Sequence, residues 1–367
     1  MTTNEIVDDE RPGRRSGIRR LVYRSSNERE GKKPDRWHDT RDWPAIKEQL
    51  RLTVRRAPEV VINVRGSRLQ KDDDQAAIRG VLRYMMYISR KGQLPLENQH
   101  RERIEGVESI KEAHASWDLD MQRMRSGKSE PLHPTFNIIF SMPARTDPEK
   151  MANAVVDFAR ERFQGHQFVI ALHTNDTDPA DNPPEHPHVH LILRAEDENG
   201  QRIYIRKSDL RIWREEFAAR LRAHGLNANA TSRAQRGKTL KGIRGAEWHI
   251  QNRYEKHLRE GKNPQVPRAK EARFRQAARE FQEGLIEQKP WEFAMAARRG
   301  DVLRELSWAS EQLELEGDAE LHDEVRRFMQ DMPAVDSESR RIQRALADRI
   351  QARLQQSRDQ KAGDFER

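Results

Sequence analysis

Four of the thirteen histidines in this 367-residue chain fall within one short stretch: His173, His186, His188 and His190. The run Phe168-Val-Ile-Ala-Leu172 leads into the first of them, and His188-Val-His190 leads into Leu191, Ile192 and Leu193. Both apolar runs are short, rich in branched side chains and bounded by turn formers, which predicts two strands. Alternate side chains of a strand share a face, so His188 and His190 point the same way. If the two strands are antiparallel neighbours, His173 joins them, and three converging imidazoles can bind a divalent cation. A His-x-His on a strand also arises by chance, and a loop histidine is ordinarily just solvated. The crowding of histidines on otherwise apolar strands is what favours ligands. The ligand type does not choose the ion: imidazole suits zinc, copper, iron and nickel, whereas phosphate chemistry commonly works with magnesium or manganese.

The second group that could do chemistry is a phenol. Of the five tyrosines, two lie on the helix predicted from Asp74 to Lys91 and stopped by Gly92. At about 100° per residue, Ile78, Val81, Leu82, Met85, Met86 and Ile88 gather into one arc that must face the core. Tyr84 sits at the edge of that arc, where a packing role accounts for it. Tyr87 falls nearly opposite, among Gly80, Arg83, Arg90 and Lys91, so it is either surface decoration or a positioned phenol. Ionising a free tyrosine at pH 7 costs on the order of 4 kcal/mol; guanidinium groups and a cation offset part of that. A phenolate attacking a phosphodiester polarised by a cation would form a phosphotyrosine ester and conserve the bond for rejoining.

Composition frames the partner. A net charge of +8 and a pI near 9.7 favour an anionic partner, most simply nucleic acid. Cysteine is absent, which excludes disulfides, thiolate metal sites and a cysteine nucleophile. No apolar run has the length of a membrane span, and the N-terminal residues lack the apolar core of a signal peptide, so no membrane insertion and a cytoplasmic location are expected. No Gly-x-x-x-x-Gly-Lys-[Ser/Thr] loop occurs, so no built-in ATP-driven helicase is expected, and covalent tyrosine catalysis needs no nucleotide cofactor.

Three regions must position these groups. Residues 1–55 are polar, with a basic block from Arg11 to Arg36 and no sustained period, and read as a disordered arm suited to DNA phosphates. Residues 56–262 hold the periodic elements: a strand at Glu59–Arg65, the tyrosine helix, a helix over 107–125, and a strand at Thr135–Phe140. A helix opened by Asp147-Pro148, the histidine hairpin, a short strand at Ile203–Ile205 and a helix from Ser208 to His224 follow. Strands with interspersed helices make an α+β layer architecture. Residues 263–367 are charged and helical, with Leu303, Leu306, Leu313 and Leu315 spaced loosely for packing, and read as a partner-binding or linker region.

Four segments in order resemble a known family. Tyr-Ile-Ser-Arg-Lys-Gly (87–92), Ile-Ile-Phe-Ser-Met-Pro (138–143), His-Pro-His-Val-His (186–190) and Ala-Thr-Ser-Arg-Ala-Gln-Arg-Gly (230–237) are similar to the motifs of relaxases of the P-type mobilisation class. The likeness extends to the border-nicking endonuclease of T-DNA transfer. The resemblance covers about residues 59–240. It implies a five-stranded antiparallel sheet with helices packed on it, as in the His-hydrophobic-His nuclease superfamily. It makes Tyr87 the nucleophile and His173, His188 and His190 the ligands of a divalent metal, with Mg or Mn expected, and it places Ser141 at the DNA. It implies nicking at a transfer origin of a plasmid or integrative element, a covalent 5′-phosphotyrosine link, relaxosome accessory proteins, and a type IV secretion coupling protein. Export of the attached protein with the transferred strand belongs to the same expectation. One departure is that Thr174–Pro187 is longer than the same segment of close relatives. His186 is therefore the alternative third ligand, and Asp176, Asp178, Asp181 or Glu185 could orient an imidazole.

The resulting expectation is a metal-dependent, single-tyrosine DNA strand transferase acting on single-stranded or unpaired origin DNA. Arg83, Arg90, Lys91, Arg233 and Arg236 are the candidate phosphate contacts. The alternatives are a rolling-circle replication initiator, which shares the chemistry, and a non-catalytic DNA-binding mobilisation accessory protein, which does not.

Overall fold

The structure is a computed structural model that describes residues 43–66, 73–121, 133–177, 185–240, 245–284 and 289–365. These divide into two units, one over Arg55–Ala230 and a second made of Asp42–Val54 with Thr231–Arg367.

The first unit is built on an antiparallel sheet of strands β1 (Val61–Gly66), β2 (Leu96–Asn98), β3 (Arg103–Ile104), β4 (Thr135–Ser141), β5 (His166–His173) and β6 (His188–Asp197). Their order across the sheet is β1-β4-β6-β5-β2-β3, and every pairing is antiparallel. The sheet thus has six strands where the family resemblance implies five. The additional pieces are the short β2 and the two-residue β3, whose Leu-Glu-Asn and Arg-Ile sequences are too brief to show a period. The strand expected at Ile203–Ile205 does not form. A single bridge pairs Arg202 with Glu196, and the Ile203 amide donates to the Ala195 carbonyl over 2.9 Å.

Alternation along β4, β5 and β6 separates the two faces of the sheet. Ile138, Phe140, Phe168, Ile170, Val189, Leu191 and Leu193 point to one side, with Ile62 from β1. There they meet helices α4 (Pro148–Arg162) and α5 (Asp209–Ala223). Met151, Ala154, Val155, Phe158 and Ala159 form the buried stripe of α4, at the three-and-four spacing that a helix needs to bury one face. Phe217 of α5 packs edge-to-face on Phe140 with centroids 4.9 Å apart. Asp147 caps α4 by accepting from the Lys150 amide, and Pro148 occupies its first turn.

Val169, Ala171 and Ile192 point to the other side. They are covered by α2 (Asp74–Ile88), through Val81, Met85 and Ile88, and by α3 (Gly106–Ser116), through Ile110. Asp73 caps α2, its carboxylate accepting from the Ala76 amide over 2.7 Å. Because helices cover both faces, β5 and β6 read as nearly continuous apolar runs rather than strict alternations.

Two expected helices end early. The tyrosine helix stops at Ile88 rather than Lys91, because Arg90 and Lys91 take positive φ values of 50° and 58°. The helix expected over 107–125 spans 106–116, with Asp118 at φ 43°, and 122–132 lie outside the described residues.

The second unit is helical. It comprises α1 (Trp43–Val54), α6 (Gly245–Arg259), α7 (Arg268–Gln282), α8 (Pro290–Glu316), α9 (Ala319–Gln330) and α10 (Glu338–Phe365). Trp43–Val54, expected at the end of a disordered arm, is therefore helical, and residues 1–42 lie outside the described residues. Val302, Leu306, Ala309 and Leu313 of α8 pack with Leu321, Val325 and Phe328 of α9 and with Leu50 of α1. Leu315 does not join them and is 82% exposed, since two residues past Leu313 lies about 200° around the helix. Gly317, at φ 83°, turns α8 into α9, and Asp318 caps the latter through the Leu321 amide.

Candidate metal centre and nucleophile

The register of the sheet brings the histidines together. His173 of β5 is the direct partner of His188 of β6, and two positions on, Ala171 is the partner of His190. On the other side of β6, Ser141 of β4 faces His188 and Ile139 faces His190. Directly opposed residues of an antiparallel pair share a face, so the three imidazoles and Ser141 lie on one surface. One ligand atom from each of His173, His188 and His190 falls within 4.8 Å of the others. His173 and His190 are buried and His188 is half-buried.

Each imidazole is also held through a nitrogen. Nε2 of His173 donates to the carbonyl oxygen of Ile88 over 2.7 Å. Nδ1 of His190 lies 3.1 Å from the Tyr84 hydroxyl, and Nδ1 of His188 lies 3.4 Å from the His186 carbonyl oxygen. Such partners set which nitrogen carries the proton and which the lone pair. The Ile88 carbonyl is one of the last of helix α2, where a donor is needed to complete the backbone hydrogen bonding.

The end of α2 and the turn after it serve this site. Ile88 is buried, and the Ser89 side chain accepts from the Gly92 amide over 3.1 Å. Arg90, Lys91 and Gly92 all have positive φ. Left-handed backbone at two successive non-glycine residues is uncommon and unfavourable. The turn aims Arg90 back at the sheet, where its Nη2 lies 3.2 Å from Nδ1 of His173 and its guanidinium carbon 5.3 Å from the Tyr87 ring centroid. Gly92 cannot be replaced cheaply, since a Cβ there would sit 2.9 Å from the Val107 backbone nitrogen.

Tyr87 is 54% exposed, as its place opposite the apolar arc predicts. Its ring nevertheless stands edge-on to the histidines, 6.2 Å from the His190 ring centroid, and stacks on Tyr84 at 5.7 Å. Tyr84 is the group that sequence reasoning assigned to packing alone. It does pack against the core beneath α2, and its hydroxyl also reaches His190. A helical wheel shows which side a residue is on, but not that its tip meets another strand.

Electrostatics separates the groups. Burial, with His173, His188 and Arg90 nearby, pushes the His190 imidazole down to about 3. It is therefore neutral at pH 7 and able to donate a lone pair. Burial and then the neighbouring Tyr87 push the Tyr84 phenol up to about 12, against a smaller opposing effect of Arg65. Tyr84 is thus a neutral hydroxyl at pH 7.

Arg65 marks a second feature that the sequence did not single out. Val61, Asn63 and Arg65 of β1 are exposed and pair with Ser141, Ile139 and Asn137. By register they lie on the same face as the imidazoles, beyond the cover of α2. Alternation along Val60–Arg65 carries the signal, but only once the register is known.

The remaining candidates are placed as follows. Arg83 and Lys91 are exposed near the end of α2, and His186 and Glu185 are exposed just before β6. The His186 ring lies 5.7 Å from that of His188. Asp176 is exposed in a helical turn over Asn175–Thr177, while Asp178 and Asp181 lie outside the described residues. Arg233 and Arg236 belong to the second unit, where they donate to the Leu240 and Ser232 carbonyl oxygens.

The donor set fits a divalent cation. Three imidazoles converge, the His190 imidazole is kept neutral, and each ring is oriented by a hydrogen bond. Residues 87–226 match the family model described as relaxase, MobA/VirD2-like, nuclease domain. This part of the chain is similar to that nuclease domain, and the match opens on Tyr87. Among solved structures, the chain is similar at 13% identity to one titled "Molecular Basis of Vancomycin Resistance Transfer in Staphylococcus aureus". That likeness covers 47% of this chain and 99% of the other, with a TM-score of 0.28. No curated protein matches the chain. Among the described residues no helix is long and apolar enough to cross a membrane.

Proposed function

We propose that the protein is a conjugative relaxase that cuts one strand of origin DNA with Tyr87. His173, His188 and His190 would hold a divalent cation, with magnesium or manganese as the fitting choice for phosphate chemistry. The observation that carries this reading is the placement of an exposed phenol ring 6.2 Å from an imidazole of a three-histidine cluster. A bound cation supplies Lewis-acid polarisation of the scissile phosphate and charge stabilisation in the transition state. The protein's residues do the rest. The Tyr87 oxygen forms a bond to phosphorus as the bond to the 3′ oxygen breaks, and the proton lost by the phenol balances the one gained by the 3′ hydroxyl. The 5′ end stays on Tyr87 as a phosphotyrosine ester, so the reverse reaction rejoins the strand without a nucleotide cofactor.

The exposed row Val61, Asn63 and Arg65 beside Ser141 offers the approach for an unpaired strand, with Arg65 and Arg83 as phosphate contacts. Arg233 and Arg236 are proposed as further phosphate contacts. The basic N-terminal residues would add contacts that do not depend on sequence. Residues 263–367 are assigned to accessory or secretion partners, namely relaxosome proteins and a type IV coupling protein. The protein would act in the bacterial cytoplasm and leave with the strand of a plasmid or integrative element.

The test uses labelled single-stranded origin candidates with a divalent ion and a denaturing gel. A relaxase gives a covalent adduct that disappears in Tyr87→Phe and needs the histidines. A cut mapping to a replication origin would instead identify a rolling-circle initiator. Binding with no adduct on any cleavable strand would leave only a DNA-binding accessory role.

A further inference from the structure

Nε2 of His173 faces the Ile88 carbonyl oxygen at 2.7 Å, and a carbonyl can only accept. That nitrogen therefore carries the ring proton, and the lone pair of a neutral His173 lies on Nδ1. Nδ1 is also the atom that Nη2 of Arg90 approaches to 3.2 Å. A lone pair serves one partner at a time, and a cation held through His173 must use the one that the guanidinium occupies. Charge points the same way. Two positive groups on one imidazole repel, and the Arg90 guanidinium already stands at this one. Arg90 reaches the position from a turn residue in left-handed backbone, at φ 50°.

We propose that Arg90 is a built-in occupant of the cation site: it closes the His173 lone pair in the free protein and yields it when an anionic phosphate draws the guanidinium away. The guanidinium stands 5.3 Å over the Tyr87 ring, so the phosphate that would be attacked at Tyr87 lies within its reach. Cation and DNA then bind with positive coupling, and the coupling is reciprocal. The free protein holds its ion weakly and completes the site only on substrate. This inference rests on the metal-centre reading above, and extends it to regulation of the same site.

The test measures Mn²⁺ affinity of the full chain by calorimetry without DNA, and again with a short single-stranded oligonucleotide whose scissile linkage is a non-cleavable analogue. Arg90→Ala, and Arg90→Gly as a second variant suited to positive φ, are expected to bind Mn²⁺ about tenfold or more tightly than the wild type in the absence of DNA. The oligonucleotide should then raise wild-type affinity while leaving both variants nearly unchanged. Equal affinities of wild type and both variants without DNA would overturn the role of Arg90. His190→Ala separates the two readings. If it abolishes Mn²⁺ binding while the Arg90 variants match the wild type, only the occupant proposal fails. If it leaves Mn²⁺ binding unchanged, the metal centre fails and takes the proposal with it.

Discussion

The Tyr84 hydroxyl lies 3.1 Å from Nδ1 of His190, which joins the tyrosine helix to the central strand of the sheet at the site itself. When Nε2 of His190 faces a cation, Nδ1 carries the proton and donates to that hydroxyl oxygen. Tyr84 then fixes the ring's tautomer and orientation, a task commonly given to a carboxylate.

Replacing the phenol by phenylalanine keeps the packing and removes this partner. Tyr84→Phe is expected to weaken Mn²⁺ binding by about 10- to 100-fold, the usual effect of losing an outer partner. The DNA adduct should still form at saturating metal, whereas Tyr87→Phe should lose it. The reverse pattern, with the adduct lost in Tyr84→Phe and kept in Tyr87→Phe, would exchange the two assignments.

Acid should loosen the metal-free protein in a defined window. The His190 imidazole is pushed down to about 3, mainly by burial, and burial also lowers those of His114 and His166. In the unfolded chain these groups protonate near their ordinary value of about 6.5. The unfolded state therefore binds more protons below that pH. Stability is fully present above it and falls as pH drops toward 3. Thermal melts of metal-free protein between pH 7.5 and 4 should show Tm decreasing across this range. The decline should be shallower in His190→Gln, and an identical slope would remove His190 as a contributor.

Gly92 and Gly106 provide a matched pair. Both have positive φ, at 82° and 81°, but an added Cβ meets backbone only at Gly92, and at Gly106 nothing within 4 Å. Gly106→Ala should lose about 1 kcal/mol from conformation alone, and Gly92→Ala should lose more. Chemical denaturation of the two variants checks the order. Because Gly92 closes the turn that carries Arg90, Gly92→Ala should also change Mn²⁺ affinity, which Gly106→Ala should not.

Phosphate contacts can be counted through salt. Removing one contact to single-stranded DNA should reduce the slope of log K against log salt by about 0.7. Arg65→Ala and Arg83→Ala are expected to show this, since Arg65 stands on the exposed row beside Ser141 and Arg83 is exposed on the tyrosine helix. An unchanged slope in either variant deletes that residue from the interface, and the same measurement applies to Lys91, Arg233 and Arg236.

Much of the site could be read from residue order because the relevant periods are strict. Two-residue alternation put His188 and His190 on one face, and the helical wheel turned Tyr87 away from Val81, Met85 and Ile88, as the structure shows. What could not be read depends on long-range geometry. The contact of Tyr84 with His190 and the alignment of Arg65 with the imidazoles require the register between strands. The helix end at Ile88 was hidden because arginine and lysine carry no local signal for left-handed backbone. The β2–β3 hairpin was missed because its strands are too short for a pattern, and Ile203–Ile205 has the composition of a strand but pairs only through the bridge of the preceding Arg202 with Glu196.

His173 and His188 are separated by fourteen residues in the chain yet sit directly across from one another in the hairpin. Their spacing is thus dictated by interstrand geometry and is indifferent to what joins them. Doubling a connection adds only about 0.6 kcal/mol of closure entropy. The segment between Thr177 and Glu185 is therefore a natural port for grafting a tag, a fluorophore or a foreign recognition sequence beside the candidate metal centre, provided the His186 carbonyl keeps its place against His188.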